Sequence, residues 1–131
     1  MTQKSQIGNL GEDLACEYLV KKKYKIIDRN FRQKWGELDI IAKAPDKTLV
    51  FVEVKTMTDN GDNGLQPENQ LTQAKLEKLK RTASLYAGHF QNLINDKKGW
   101  RIDLIAIDLN LASGLTKDGK DCDTRHYENI G

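Results

Sequence analysis

Two cysteines, Cys16 and Cys122, stand more than a hundred positions apart in a chain of 131 residues. That spacing supplies no zinc knuckle, and without an export signal it gives no reason to expect a disulfide. Long apolar runs are missing too. The longest, Leu49-Val50-Phe51-Val52 and Leu104-Ile105-Ala106-Ile107, hold four residues each, against the roughly 20 that a membrane-spanning helix needs. The first residues carry no apolar stretch of signal-peptide length, so a cytoplasmic protein with reduced thiols is expected. Charge of one sign is not in excess. Lys and Arg number 21 against 19 Asp and Glu, for a net +2, so any basic surface is local. There is no internal repeat, no low-complexity tract and no glycine-rich loop with a lysine, which excludes nucleotide hydrolysis of the P-loop type. The two histidines, His89 and His126, form no His-Asn or His-Cys constellation for another nuclease chemistry or for zinc. The length implies one domain over 1–131, large enough to bury a core unaided.

What is present is an ordered succession of elements. Ile7, Leu10, Leu14, Tyr18 and Leu19 recur at three- and four-residue spacings and predict a helix over 5–22, with Ser5 as its N-cap. Gly8 and Gly11 are poor helix formers, which suggests a neighbour approaching that face closely. Strands are predicted over 24–31, 36–43 and 48–55, and the turn Ala44-Pro45-Asp46-Lys47 joins the last two into a hairpin. A polar loop over 56–67 leads to an amphipathic helix marked by Leu71, Leu79, Ala83, Tyr86, Phe90 and Ile94. A fourth strand is predicted over 100–108, a polar loop over 109–123 and a short edge strand over 124–130. The crossover helix permits a parallel pair between strands three and four. The fold class is α/β, a mixed sheet flanked by helices in the order α-β-β-β-α-β-(β).

The hairpin concentrates the chemistry. Two-residue alternation puts Leu38, Ile40 and Ala42 on one face together with Val50, Val52 and Val54. The other face then carries Glu37 and Asp39 beside Glu53 and Lys55. Asp39 and Glu53 are equidistant from Asp46 in the turn, so a symmetric hairpin sets them opposite one another, with Cβ atoms roughly 5 Å apart. A register slip of one residue would send one of them into the core. Adjacent carboxylates repel, and one pKa rises unless a cation intervenes. Lys55 supplies one positive charge. A divalent ion supplies more, and an all-oxygen, half-open site suits Mg²⁺, which retains waters and accepts phosphate oxygens. Two readings stand at this point: a solvated strand face with a cross-strand salt bridge, or a metal site for phosphate chemistry.

The stretches Gly36-Glu37-Leu38-Asp39-Ile40-Ile41-Ala42 and Phe51-Val52-Glu53-Val54-Lys55-Thr56 resemble the hairpin of PD-(D/E)xK nucleases. More narrowly, the chain resembles the uncharacterised YraN-like bacterial family, related to archaeal Holliday-junction resolvases. The likeness extends through Gly8-Asn9-Leu10-Gly11-Glu12-Asp13-Leu14-Ala15, Asn30-Phe31-Arg32, Thr72, Lys75, Leu79 and Ala83, Arg101-Ile102-Asp103, and His126-Tyr127-Glu128-Asn129. It implies a restriction-endonuclease-like fold. It also implies Asp39 and Glu53 as metal ligands, Lys55 as catalytic lysine, and Glu12 completing the metal shell directly or through water. Leu38 stands where the wider superfamily has proline, a departure the narrower family shares. Met57 stands where many members carry arginine.

Other residues admit two readings each. Glu12 and Asp13 suit the opening turns of a helix by charge alone. Glu37 is either solvated or a neighbour of the metal shell. Residues 21–34 hold seven cations against Asp28, either a phosphate-binding surface or a solvated helix end. Lys23, Arg29 and Arg32 are the candidates there, and Lys75 is the candidate from the second cluster of Lys75, Lys78, Lys80 and Arg81. Trp35 either stacks on a base or packs at the hairpin end, and Trp100 packs where the fourth strand begins. The expectation is a nuclease using Mg²⁺ or Mn²⁺ on DNA, with branched DNA among its substrates and a homodimer as the way to cut two strands. Its rivals are a nucleic-acid-binding protein that keeps the fold without turnover, and a scaffold that docks protein on its acidic face.

Overall fold

A computed structural model describes residues 3–58, 71–109 and 122–131. Helix α1 spans Gln3–Lys21 and leads through a turn, with Lys23 at φ 72°, into strand β1 (Lys25–Gln33). Strands β2 (Gly36–Lys43) and β3 (Leu49–Thr58) follow, then helix α2 (Gln73–His89), a short 3₁₀ turn (Gln91–Leu93), and strands β4 (Trp100–Leu109) and β5 (Cys122–Tyr127). The five strands lie in chain order across one sheet. The pairs β1–β2, β2–β3 and β4–β5 are antiparallel, and β3–β4 is parallel. The predicted mixed α/β sheet in the order α-β-β-β-α-β-β is what the chain adopts. Ser5 lies inside α1, two residues past its start, so it is not the cap. The N-cap of α2 is Thr72, whose hydroxyl accepts from the Lys75 N–H at 3.2 Å. Most of the predicted loops over 56–67 and 109–123 lies outside the described residues. Strand β3 takes up 56–58.

Each helix covers one face. Leu14, Ala15 and Leu19 of α1 pack on Ile40, Ala42, Val50, Val52, Ile105 and Ile107, all buried. Ala83 and Tyr86 of α2 pack on Leu38, Ile41, Leu49, Phe51 and Ile102. Each large apolar side chain buried this way contributes roughly 1.5–3 kcal/mol. Two expectations are corrected here. Leu38 does not share a face with Ile40 and Ala42 but sits under α2 with Ile41 and Phe51. The face bearing the acids is not an open one either, because α2 covers its apolar part. The first follows from how β2 begins. It pairs with β1 from Gly36 onward but with β3 only from Ile40, opposite Val52, to Lys43, opposite Leu49. The first residues of β2 thus lie off β3, and strict alternation fails where the strand lacks that partner.

Candidate metal and nucleic-acid site

Asp39 stands just before β2 joins β3. One residue ahead of the first β2–β3 pair, it would lie opposite Glu53 if the register extended to it. Its Oδ2 accepts the Val54 N–H at 2.9 Å, so the side chain supplies a hydrogen-bond acceptor where β2 has yet to join the ladder. The acid is fixed by the same interaction that closes the strand end. Glu53 hydrogen-bonds to Asp39, and burial pushes its carboxyl well above the carboxylate range, to about 9. The hydrogen bond and the negative field of Asp39 push the same way, and Lys55 and Lys75 oppose them. Among the described residues neither ammonium makes an ion pair with the acids and both act through their fields. Neighbouring carboxylates raise a pKa in this way.

Glu12 approaches from α1. Gly11 makes this possible, since a Cβ there would lie 1.8 Å from the Thr56 hydroxyl. Only glycine lets α1 press onto β3 three residues beyond Glu53. The expected close neighbour is therefore found at Gly11. At Gly8 a Cβ would meet nothing within 4 Å. Burial raises the Glu12 carboxyl above its ordinary value and the charge of Asp39 adds to this, while Arg29 and Arg32 pull it down. Asn30, at φ 52° in the left-handed region that asparagine tolerates, lays its side-chain amide 3.0 and 3.2 Å from the two Glu12 carboxylate oxygens, and hydrogen bonding there requires the amide orientation that faces its nitrogen to Glu12. Asp39 of β2 thus acts electrostatically on both Glu12 of α1 and Glu53 of β3. Their carboxylate oxygens are the hard donors that Mg²⁺ or Mn²⁺ takes, but among the described residues the three do not bring ligand atoms within 4.8 Å of one another.

Asp39 and Glu53 line a groove of about 560 Å³, whose lining does not include Glu12. One wall is the β1–β2 turn, from Gln33 to Glu37, and the other is the N-terminal half of α2, with Lys75, Lys78 and Arg81. Gly36 joins the walls. A Cβ there would fall 2.1 Å from the Thr82 hydroxyl, and its φ of 154° is itself a glycine conformation. The candidate residues divide accordingly. Asp39, Glu53, Lys55 and Lys75 line one groove. Arg29 and Arg32 stay outside it, flank Glu12 electrostatically, and are held by Asp13 and Glu37, each at 2.7 Å. Lys23 sits in the exposed α1–β1 turn, away from the groove. Lys34, Lys78 and Arg81 also line it, and sequence reasoning singled out none of the three as contacts. The mixed charge of their neighbourhoods masks them, because only the tertiary fold faces them toward the acids.

A second group, Asp103, His126 and Glu128, has ligand atoms within 4.8 Å of one another. A guanidinium already occupies the cation's place. Arg101 binds Asp103 at 2.9 Å and Glu128 at 3.4 Å. The fully buried Asp103 further accepts from the Asn129 N–H at 2.9 Å and bonds the His126 imidazole at 2.7 Å. His126 in turn bonds the Tyr18 hydroxyl at 3.1 Å. This network ties β4, the C-terminal segment and α1 together as a structural clamp.

The model of the uncharacterised protein family UPF0102 matches residues 11–107. A UPF0102 protein of Mycobacterium bovis (strain BCG / Pasteur 1173P2) is 37% identical over 130 residues, covering 96% of this chain and 92% of the relative. A UPF0102 protein of Mycobacterium ulcerans is 41% identical over 108 residues, covering 79% and 82% respectively. Among the described residues no helix is long and apolar enough to cross a membrane. The matched span runs from the glycine that seats α1 to the end of the buried run of β4 and includes Glu12, Asp39 and Glu53, and the chain belongs to the UPF0102 (YraN) family.

Proposed function

We propose that the chain is a divalent-metal-dependent nuclease that hydrolyses DNA phosphodiester bonds in the groove between the β1–β2 turn and α2. The observation that carries this reading is the half-buried Asp39–Glu53 pair in a groove that Lys34, Lys55, Lys75, Lys78 and Arg81 also line. Asp39 and Glu53, with Glu12, would hold Mg²⁺ or Mn²⁺, which when bound supplies Lewis acidity toward a phosphate and lowers the pKa of a coordinated water. The chain's own residues do the rest. Lys55 places a positive charge where negative charge develops on the phosphate, and Asn30 holds Glu12 oriented toward the pair. Lys75, Lys78 and Arg81 draw the backbone into the groove by their charge.

The test is cleavage of single-stranded, duplex and branched DNA with and without Mg²⁺ or Mn²⁺. Asp39→Ala, Glu53→Ala and Lys55→Ala should each lower turnover by about a hundredfold or more, the scale of losing one electrostatic stabiliser. Cleavage that survives all three substitutions refutes the assignment. The cationic lining also supports a second reading, a protein that binds nucleic acid in this groove without turnover. It is distinguished by affinity that falls steeply with salt while no product forms with any metal.

A further inference from the structure

We propose that the groove receives DNA as an unpaired, unstacked strand, and that Trp35 is the platform on which its displaced base stacks. This rests on the nuclease reading and narrows its substrate class. Trp35 lines the same groove as Asp39, Glu53 and Lys55. It is half-buried, and the reason is local. Its ring lies nearly parallel to that of His89, at 25° and 5.5 Å between centroids, and tilts against Phe31 at 5.3 Å. Those contacts brace the indole where it packs against the α2-side core, and it also lines the groove. The turn that carries it is anchored one residue later by the close approach of Gly36 to Thr82.

An aromatic ring held in place beside cations is the arrangement that single-stranded nucleic acid uses, a charged track for the backbone with a flat surface for the bases. Because the indole is fixed before binding, little side-chain entropy remains to be lost when a base lands on it. A groove of about 560 Å³ lined by Asp39 and Glu53 has the scale of a small-molecule pocket, which suits a single nucleotide that has left the helical stack.

Trp35 and Trp100 are the two tryptophans of the sequence, so Trp100→Phe leaves Trp35 as the only indole reporter. With divalent metal removed to stop turnover, a fluorescein-labelled oligothymidylate and a blunt duplex of equal length are titrated at low salt. Anisotropy reads binding, and indole emission reads stacking. The single strand should bind at least about tenfold tighter than the duplex and quench Trp35. Trp35→Ala should weaken single-strand binding by roughly 5- to 100-fold, the range for one lost base–aromatic stack, and leave the weak duplex binding unchanged, while Trp35→Phe retains most of the affinity. Binding without any change in Trp35 emission, or equal losses on both DNAs, overturns the stacking role and leaves the nuclease reading standing. No anisotropy change with either DNA overturns both. Should Trp35→Ala fail to fold, the quench in Trp100→Phe and the affinity of Trp35→Phe decide the matter.

Discussion

At the scale of single residues, the acid pair trades stability for a prepared site. Glu53 is held protonated in the folded state by burial and by Asp39, with its carboxyl raised to about 9, whereas in the unfolded chain it ionises near the ordinary glutamate value. Between those values the unfolded chain gives up its proton and the folded chain keeps it, so stability falls as pH rises through the interval. Glu53→Gln removes the titration and should raise the melting temperature of the metal-free protein. The gain should be near zero at about pH 4 and widen to several degrees by about pH 8. A gain independent of pH would show that Glu53 is not strained by charge. The residue types and their shared face were legible in the sequence, because alternation and symmetry about the turn at Asp46 sufficed to pair Asp39 with Glu53. Their burial was not legible, since it depends on α2, more than fourteen residues further along, closing over the same face.

Among the elements, α1 is positioned by one missing side chain. Gly11 lets the helix meet Thr56 at a distance no Cβ tolerates, while Gly8, three residues earlier, faces open space. The two glycines should therefore respond in opposite directions. Gly8→Ala should stabilise the protein by about 0.5–1 kcal/mol through helix propensity. Gly11→Ala should destabilise it by about 1–3 kcal/mol through overpacking and also reduce turnover, because α1 carries Glu12 away from Asp39 as it moves. Urea denaturation of the two variants measures the first effect and DNA cleavage the second. Sequence reasoning flagged both glycines alike, since the same pattern of poor helix formers precedes contact and solvent. It also placed Leu38 with Ile40, an error of the same kind. Two-residue alternation holds only while a strand has its partner, and β2 joins β3 only at Ile40.

For the whole molecule, the Asp103 clamp holds the far end of the sheet closed. Burial alone would raise the Asp103 carboxyl. The hydrogen bonds from His126, Arg101 and the Asn129 N–H outweigh it and hold the group below its ordinary value. A depressed carboxylate stabilises the fold above the unfolded-state pKa, and this stabilisation is lost as pH falls through the folded value. Acid unfolding should therefore steepen below about pH 4, and Asp103→Asn should flatten that dependence. Asp103→Ala, which takes the acceptor from His126, the Asn129 N–H and Arg101 at once, should cost about 1–3 kcal/mol, measured by thermal or denaturant melts, with β5 and the C-terminal segment the first to lose amide-exchange protection.

The sequence by itself determined the order of the elements, the hairpin and its register, and the meeting of Asp39 with Glu53. Each of these is set by periodicity and turn chemistry acting over a few neighbouring residues. Only the tertiary structure decided which cations face the acids, that Trp35 borders the same groove, and that Asp103 is locked to His126 and Arg101. Those relations join α2 to the β1–β2 turn, and β4 to both termini. Contacts between segments far apart in the chain are fixed by how helices settle on the two faces of a sheet, and no local pattern encodes that.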